Sequence, residues 1–263
     1  LDMLQELINK FNQAKTPDQR AALDDIINYI VDDMRQVLLA PHKRMDIVDG
    51  DLRSDGKASV KVDDNPQGIE LLEMELPVHR ITPQVADKLN FVRYLMEKTV
   101  ELRTKFGMFV SMEMSRRTFI NSIIGSKDFG DFYKQSFDSK EVRLSAGLMS
   151  SEMATTIFRG LGLPPIVINE DLVELSDGTF KQVFKDNRIS LFTTPKQEEM
   201  RWHTPYEITD PVPGKTYTRS EGGMYISNIR TDEGRFMEYG AEWIPEFTSP
   251  NKIVIFDLDT MNA

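Results

Sequence analysis

The sequence predicts an α+β fold, and three observations carry that prediction. Apolar residues recur at helical spacing near the N-terminus and again after Thr82. Two extended runs flank a turn cluster between residues 45 and 80, and short apolar strands separated by exposed turns fill the stretch from Leu163 to Asp257.

The first segment places Leu4, Leu7, Ile8 and Phe11 on one helical face, broken at Thr16-Pro17. Thr16-Pro17-Asp18-Gln19 then has the form of a helix start: an N-cap, a proline at the first helical position, an acid near the positive end and a capping-box glutamine. Leu23, Ile26, Ile27, Ile30, Val31, Met34, Val37 and Leu38 keep one apolar face, which Ala40-Pro41 is expected to end. The two helices form either an arm with an adhesive side or a pair packed on their own core.

Gly, Asp and Ser punctuate MDIVDGDLRSDGK, so a loop is expected there, able to bend about residues 49–56. ASVKVD and GIELLEMELPVH follow, separated by Asp64-Asn65-Pro66-Gln67-Gly68, and read as a long β-hairpin. With few large apolar side chains it either reaches toward a neighbouring subunit or lies as an exposed edge hairpin. Thr82-Pro83 opens a second helical pattern through Val85, Leu89, Val92, Leu95, Met96, Val100 and Leu102, continued by Phe109, Met112, Phe119, Ile120, Ile123 and Ile124 to Gly125. Unbroken, this helix has about 40 residues and spans roughly 60 Å. The alternative is two helices kinked near Gly107.

Residues 129–143 are mixed and aromatic, and SSEMATTIFRG reads as a short helix stopped by Gly160-Leu-Gly162. Pro165 to Phe192 reads as an apolar strand, a Ser176-Asp177-Gly178 turn and further strands ending before Pro195. Within a loose region from 195 to 240, GKTYTR and GGMYISNIR are strands joined around Ser220-Glu221-Gly222. WIPEFTSPNK reads as a proline-bounded coil before the apolar strand IVIFD.

Composition narrows the chemistry. The chain has 263 residues, no cysteine, three scattered histidines (His42, His79, His203) and a net charge of −10. Thiolate zinc sites, disulfides and a cysteine nucleophile are excluded, and the histidines share no metal-ligand spacing. The acidic balance opposes a nucleic-acid backbone unless basic residues gather on one face, and no such gathering is visible. No run approaches the roughly 18 uncharged apolar residues that a membrane helix needs.

One motif imitates an enzyme. IVIFDLDT presents Asp257-x-Asp259-x-Thr260 after an apolar strand, as in haloacid-dehalogenase-type phosphatases, where one carboxylate attacks phosphorus and the next serves as acid and base beside magnesium. Those enzymes carry the motif at the start of a doubly wound domain, and here it stands at the end of the sequence, where a core strand with a solvated acidic tail is the alternative. Gly160-x-Gly162 lacks the third glycine of a dinucleotide loop, and His203 beside Trp202 and Glu198-Glu199 is a surface histidine more simply than a base. Arg116-Arg117 is expected to be a solvated or salt-bridged pair, and no catalytic, cofactor-binding or metal-binding residue is assigned.

Taken in order, these elements resemble the major capsid protein E family of tailed bacteriophages, lambda-like relatives with the Hong Kong 97-like fold. Met112-Glu113-Met114-Ser115-Arg116-Arg117 through Ile123-Ile124-Gly125 is similar to that family's long helix. Pro165-Ile-Val-Ile-Asn169, Leu175-Ser-Asp-Gly178 and Val183 to Phe192 resemble its strand, Asp-Gly turn and F-x-D-N-x-x-x-L strand, and Ile244-Pro245 with Ser249 to Val254 its closing segment. The chain departs from the family in its N-terminal helices and in the few residues between Ser126 and Leu172.

The resemblance implies an N-terminal helical arm (1–44), an extended hairpin loop (45–80), a peripheral domain on a long spine helix (81–144), an axial domain (145–240) and a returning C-terminal strand (241–263). It implies a non-enzymatic major capsid protein that assembles with itself into the pentamers and hexamers of an icosahedral shell around packaged double-stranded DNA. Scaffolding, portal and decoration proteins are the further partners, DNA contact is non-specific and no membrane is involved. The protein would reside in the virion after assembly in the host cytoplasm. Outside this resemblance, the residues leave a phosphohydrolase of the Asp-x-Asp type and a non-catalytic helical-arm interaction module as the other readings.

Overall fold

The computed structural model describes residues 9–10, 38–61, 71–137, 151–175, 178–195, 198–219, 221–231 and 234–262. The expected helix pair before residue 38, the turn at Asp64–Gly68 and the Ser176-Asp177 turn residues lie outside them. The chain divides into two compact units, one comprising Met45–Arg201 with Pro245–Ala263, the other Leu1–Arg44 with Trp202–Ile244.

The larger unit is organised by a five-stranded mixed sheet in the order β3-β13-β8-β4-β5. Its strands are β3 (His79–Ile81), β4 (Ser111–Ser115), β5 (Ile166–Asn169), β8 (Arg188–Phe192) and β13 (Val254–Asp257). β13 and β4 pair antiparallel with β8, while β3 and β5 run parallel to their neighbours at the two edges. Strand side chains alternate between faces. Met112, Met114, Ile189, Leu191, Val254 and Phe256 therefore share one face and join a single buried cluster.

Three helices cover that face: Phe91–Phe106, Lys127–Phe137 and Ser151–Gly160. Phe91, Val92, Leu95 and Leu102 of the first, Phe129 of the second and Ile157 and Phe158 of the third all enter the cluster. Asp128, at the start of the second helix, accepts the Arg93 backbone N–H at 2.7 Å and so satisfies an orphan donor in the first turn of its neighbour. Residues 127–137 form this regular helix because Phe129, Phe132 and Tyr133 fall on one side, a spacing hidden by the glycine and charges between them.

The long helix expected from Thr82 to Gly125 does not form, and neither does the kinked pair. A 3₁₀ segment, Val85–Asn90, leads into the Phe91–Phe106 helix, which ends at Gly107 with φ at +94°. The chain then enters β4 at the centre of the sheet, so the stretch from Met112 that resembled a spine helix is a strand. Helical spacing at Phe109 and Met112 concealed the period-two pair Met112 and Met114, whose intervening Glu113 is also buried and shows no polar outer face. Ser115 caps the next turn by accepting the Thr118 N–H at 3.2 Å, and a π-helical turn, Phe119–Ile124, follows.

The other face of the sheet meets a helix over residues 38–55, the second departure from expectation. Ala40-Pro41 does not end the helix, and residues 45–55 are neither loop nor hinge. Val48 and Leu52 are buried with Phe192, Phe247, Ile253 and Ile255, and this seat outweighs the cost of about 1 kcal/mol for a mid-helix glycine. Gly50 is what permits the approach: a Cβ there would fall inside the van der Waals shell of the Val183 carbonyl and side chain. The helix stops at Gly56, φ +68°, whose N–H donates to Leu52 O at 2.8 Å.

Beyond Gly56, β1 (Lys57–Lys61) and β2 (Leu71–Glu75) pair antiparallel, Lys57 opposite Glu75 and Lys61 opposite Leu71. The base of this hairpin is seated on its own core, since Ala58, Val60, Met74, Leu76 and Val78 pack in the same cluster as Leu52. β6 (Leu172–Glu174) and β7 (Phe180–Gln182) form a second small hairpin, with Val173 facing inward.

A second sheet, in the order β10-β11-β12-β9, lies in the smaller unit except for Glu198–Arg201 of β9 and Pro245–Phe247 of β12. β10 (Lys215–Arg219) and β11 (Met224–Thr231) are the two strands expected around Ser220-Glu221-Gly222, in register from Lys215 opposite Ile229 to Arg219 opposite Tyr225. β12 (Gly234–Phe247) runs through the expected WIPEF coil. Pro245 lies beyond the end of the ladder with β11, which stops at Ala241. β9 covers Glu198–His203.

Gly50→Ala is expected to destabilise the protein by about 1–3 kcal/mol through overpacking against Val183. Gly160→Ala, where nothing lies within 4 Å of the added carbon, should leave the urea midpoint unchanged within error. Equal midpoints for the two variants would show that the helix is not seated as described.

Candidate functional site

Two charged networks lie in the larger unit, and together they contain the residues that the Asp-x-Asp motif brought to notice. At the C-terminal end of β13, both Asp257 oxygens are engaged, Oδ1 by Arg188 at 2.8 Å and Oδ2 by Arg80 at 2.8 Å. Asp259 accepts from Arg188 at 2.7 Å, and Asp55 accepts from Arg80 at 2.6 Å and Lys185 at 3.0 Å. Lys181 reaches Asp51 at 3.0 Å. The tail of β13 is thus ion-paired rather than simply solvated.

The chemistry of this network is the reverse of a phosphoryl-transfer site. A nucleophilic carboxylate must keep an oxygen free to attack, and the metal it works with must be held by further carboxylates. Here Arg80 and Arg188 occupy both oxygens of Asp257. Among the described residues no group of three or more His, Cys, Asp or Glu is arranged to hold a metal ion. Burial would push the Asp55 carboxyl up, but the bonds from Arg80 and Lys185 outweigh it and hold it below its ordinary 3.8. Asp259 is likewise held low, chiefly by the Arg188 bond.

A second network sits deeper, where helix residues 49–53 face β4. Arg53 is ion-paired to Glu113, whose other oxygen accepts from Asn169 Nδ2 at 3.2 Å. Asp49 at 3.5 Å and Glu198 at 3.7 Å share the same guanidinium. Burial and the neighbouring Glu198 push the Asp49 carboxyl up to about 7, and burial also raises Glu113. Nothing in the spacing of these residues announced the group, although an acid between two methionines at Glu113 was a signal that it needed a buried partner.

The remaining candidates do not converge. His203 Nδ1 lies 2.9 Å from Glu242 on the exposed side of the smaller unit, not on the Glu198 considered beside it, which belongs to the Arg53 network. His42 and His79 contact Trp243 and Phe106 at ring separations of 4.7 and 5.3 Å. Gly160 and Gly162 end a helix, with Leu161 and Leu163 donating back to Phe158 O. A cleft of about 390 Å³ is lined by Arg116, Arg117, Asn121, Asn169, Glu170 and Gln182. Its arginines pair with Glu170 at 3.7 Å and Asp186 at 3.4 Å, and its lining has neither a Ser, Thr or Cys nucleophile nor a histidine base. No helix of the described residues is long and apolar enough to cross a membrane.

Comparison with solved structures supplies what the side chains do not. A protein provisionally named as the capsid protein of a prophage of Escherichia coli CFT073 superimposes with a TM-score of 0.56 over 93% of this chain and 71% of its own, at 16% identity. This is a phage capsid-like fold. A phage-related protein of Bordetella bronchiseptica RB50 matches at a TM-score of 0.40 and 12% identity, over 98% of this chain and 73% of its own, too loosely to bear on the fold. No protein-family model matches the chain, and no curated protein does.

The sign of the pH dependence at the β13 network follows from the lowered carboxyls. Asp55 and Asp259 contribute stability that is present above 3.8 and is lost as pH falls through their lower folded values. The thermal midpoint should therefore drop on acidification below about pH 4. Arg188→Ala, which leaves Asp257 to Arg80 alone and Asp259 without its arginine, should cost about 1–2 kcal/mol at neutral pH in urea unfolding. A loss under about 0.5 kcal/mol would mean that the network is ornamental.

Proposed function

We propose that this chain is the major capsid protein of a tailed bacteriophage, a subunit whose work is association rather than catalysis. The observation that carries the reading is the fold shared, over 93% of the chain, with the protein provisionally named as a prophage capsid protein. The engagement of both Asp257 oxygens by arginine supports it, because the strongest enzyme-like motif serves as a structural ion pair.

In this reading the chain has the Hong Kong 97-like form of the capsid fold, with the two compact units as its peripheral and axial domains. The spine is the 16-residue Phe91–Phe106 helix, far shorter than the roughly 40 residues that periodicity suggested. The β1–β2 hairpin is the element offered to a neighbour, while its base stays on its own core. Copies build pentamers and hexamers of an icosahedral shell enclosing double-stranded DNA, each stable contact burying on the order of a thousand Å². Scaffolding, portal and decoration proteins are its further partners, and the virion is its destination, reached by assembly in the host cytoplasm.

Large particles or capsomers should appear when the purified chain is followed by light scattering and negative-stain microscopy under assembly conditions. Replacing residues 62–70 with a short Gly-Ser linker should leave the circular dichroism spectrum native while shells fail to form. A chain that remains a small oligomer at every concentration and salt tested, with or without scaffolding partners, would overturn the capsid reading. Normal shells from the linker variant would overturn only the role of that segment.

A further inference from the structure

Among the described residues, the charges around Asp49 do not balance. The charged groups facing it are Arg53 on its own helix, Glu113 on β4 and Glu198 on β9. Three carboxylates against one guanidinium leave two uncompensated negative charges when all are ionised. Arg53 is committed first to Glu113, whose side chain is 3% exposed, and only its other amino group reaches Asp49 and Glu198. Glu198, 31% exposed, can be solvated where it stands. Asp49, 18% exposed, is the less solvated of the two, and its Oδ1 is buried without a hydrogen-bond partner among the described residues, as are Arg53 Nε and Glu198 Oε2. The least costly way to settle the account is to neutralise Asp49.

The position of the cluster gives that proton a mechanical consequence. It ties residues 49–53 of the helix to β4 and β9 at once, and the same helical turn is held by the Ser190 hydroxyl donating to Arg53 O at 2.6 Å. Gly50 keeps this turn in direct contact with Val183. Charge placed on Asp49 therefore acts where the helix has no slack to move away.

We propose that the Asp49–Arg53–Glu113–Glu198 cluster is a proton-operated latch: a proton on Asp49 keeps the 45–55 helix seated on the sheet, and its loss loosens that seat. The latch does not depend on the capsid reading and would operate in a subunit of any function. Burial and Glu198 raise the Asp49 carboxyl from 3.8 to about 7, which sets the window. For a carboxyl raised in the folded state, the stabilising effect is full below the unfolded value and is lost as pH rises through the folded one. The direction is opposite to that of Asp55 and Asp259, so the two networks separate on the pH axis. Lys181 on Asp51 and Lys185 on Asp55 hold neighbouring parts of the helix, and loosening rather than global unfolding follows.

The test is hydrogen exchange of the 45–55 amides in the whole chain at pH 6 and pH 8.5, corrected for intrinsic exchange rates. The wild type should open about tenfold more at the higher pH, from the two carboxyl values above. Asp49→Asn, which keeps the shape and cannot ionise, should show no rise and should be the better protected of the two at pH 8.5. A wild type without the rise, or an Asp49→Asn variant with the same rise, would overturn the latch. Should that variant not fold, carbon-detected titration of the wild-type aspartates decides: one carboxyl with a midpoint near 7 supports the latch, and midpoints all below 5 refute it.

Discussion

The side-chain alternation of β4, β8 and β13 constrains the rest of the larger unit, because each strand sends consecutive residues to surfaces of different chemistry. One surface receives Met112, Met114, Ile189, Leu191, Val254 and Phe256 and can be covered by three amphipathic helices with no polar group to satisfy. The other receives Glu113, Ser190, Phe192 and Ile255, a mixture that no purely apolar element could cover. The helix that covers it brings Val48 and Leu52 for the apolar part, and Arg53 and its own carbonyl for the polar part. Its amphipathicity is two-toned because the surface beneath it is.

Charge follows the same logic. A chain with a net charge of −10 has acids to spare, and apart from Asp128, which takes a backbone N–H, the buried ones lie beside Arg53, Lys181 and Lys185. Such networks do not stabilise a fold by their Coulomb energy alone, since the desolvation they require is of the same size. They make one arrangement of helix and sheet better than its neighbours, because a shift of one residue would strand a carboxylate out of water. The seat of residues 45–55 on the sheet stands where the glycine and aspartate content suggested a hinge.

Much of the strand-rich half was legible from residues. The apolar run Pro165–Asn169, the glycine turn after Leu175 and the pair GKTYTR and GGMYISNIR announce β5, the β6–β7 hairpin and the β10–β11 pair, because turn chemistry and period-two patterning are local properties. The helix ending at Gly160-Leu-Gly162 was legible for the same reason. The misreadings share a cause as well. Phe109, Met112, Phe119 and Ile123 satisfy a helical period by accident of a strand, a capped turn and a π-helical turn lying in succession, and only burial of Glu113 distinguishes them. Pro41, Gly50 and the aspartates around Gly50 are local helix-breaking signals overruled by the tertiary seat.

The residues by themselves determined β5, the β6–β7 hairpin, the β10–β11 pair and the helix stop at Gly160, and they excluded disulfides and thiolate metal chemistry. These conclusions need only short-range backbone preferences and the inventory of side chains. Tertiary structure decided that Asp257 and Asp259 are partners of Arg80 and Arg188 rather than a reaction centre, that residues 45–55 are a docked helix, and that Asp49, Arg53, Glu113 and Glu198 meet at all. Each of those outcomes depends on groups distant along the chain, where desolvation and pairing outweigh local propensity, and no window of consecutive residues contains both halves of the interaction.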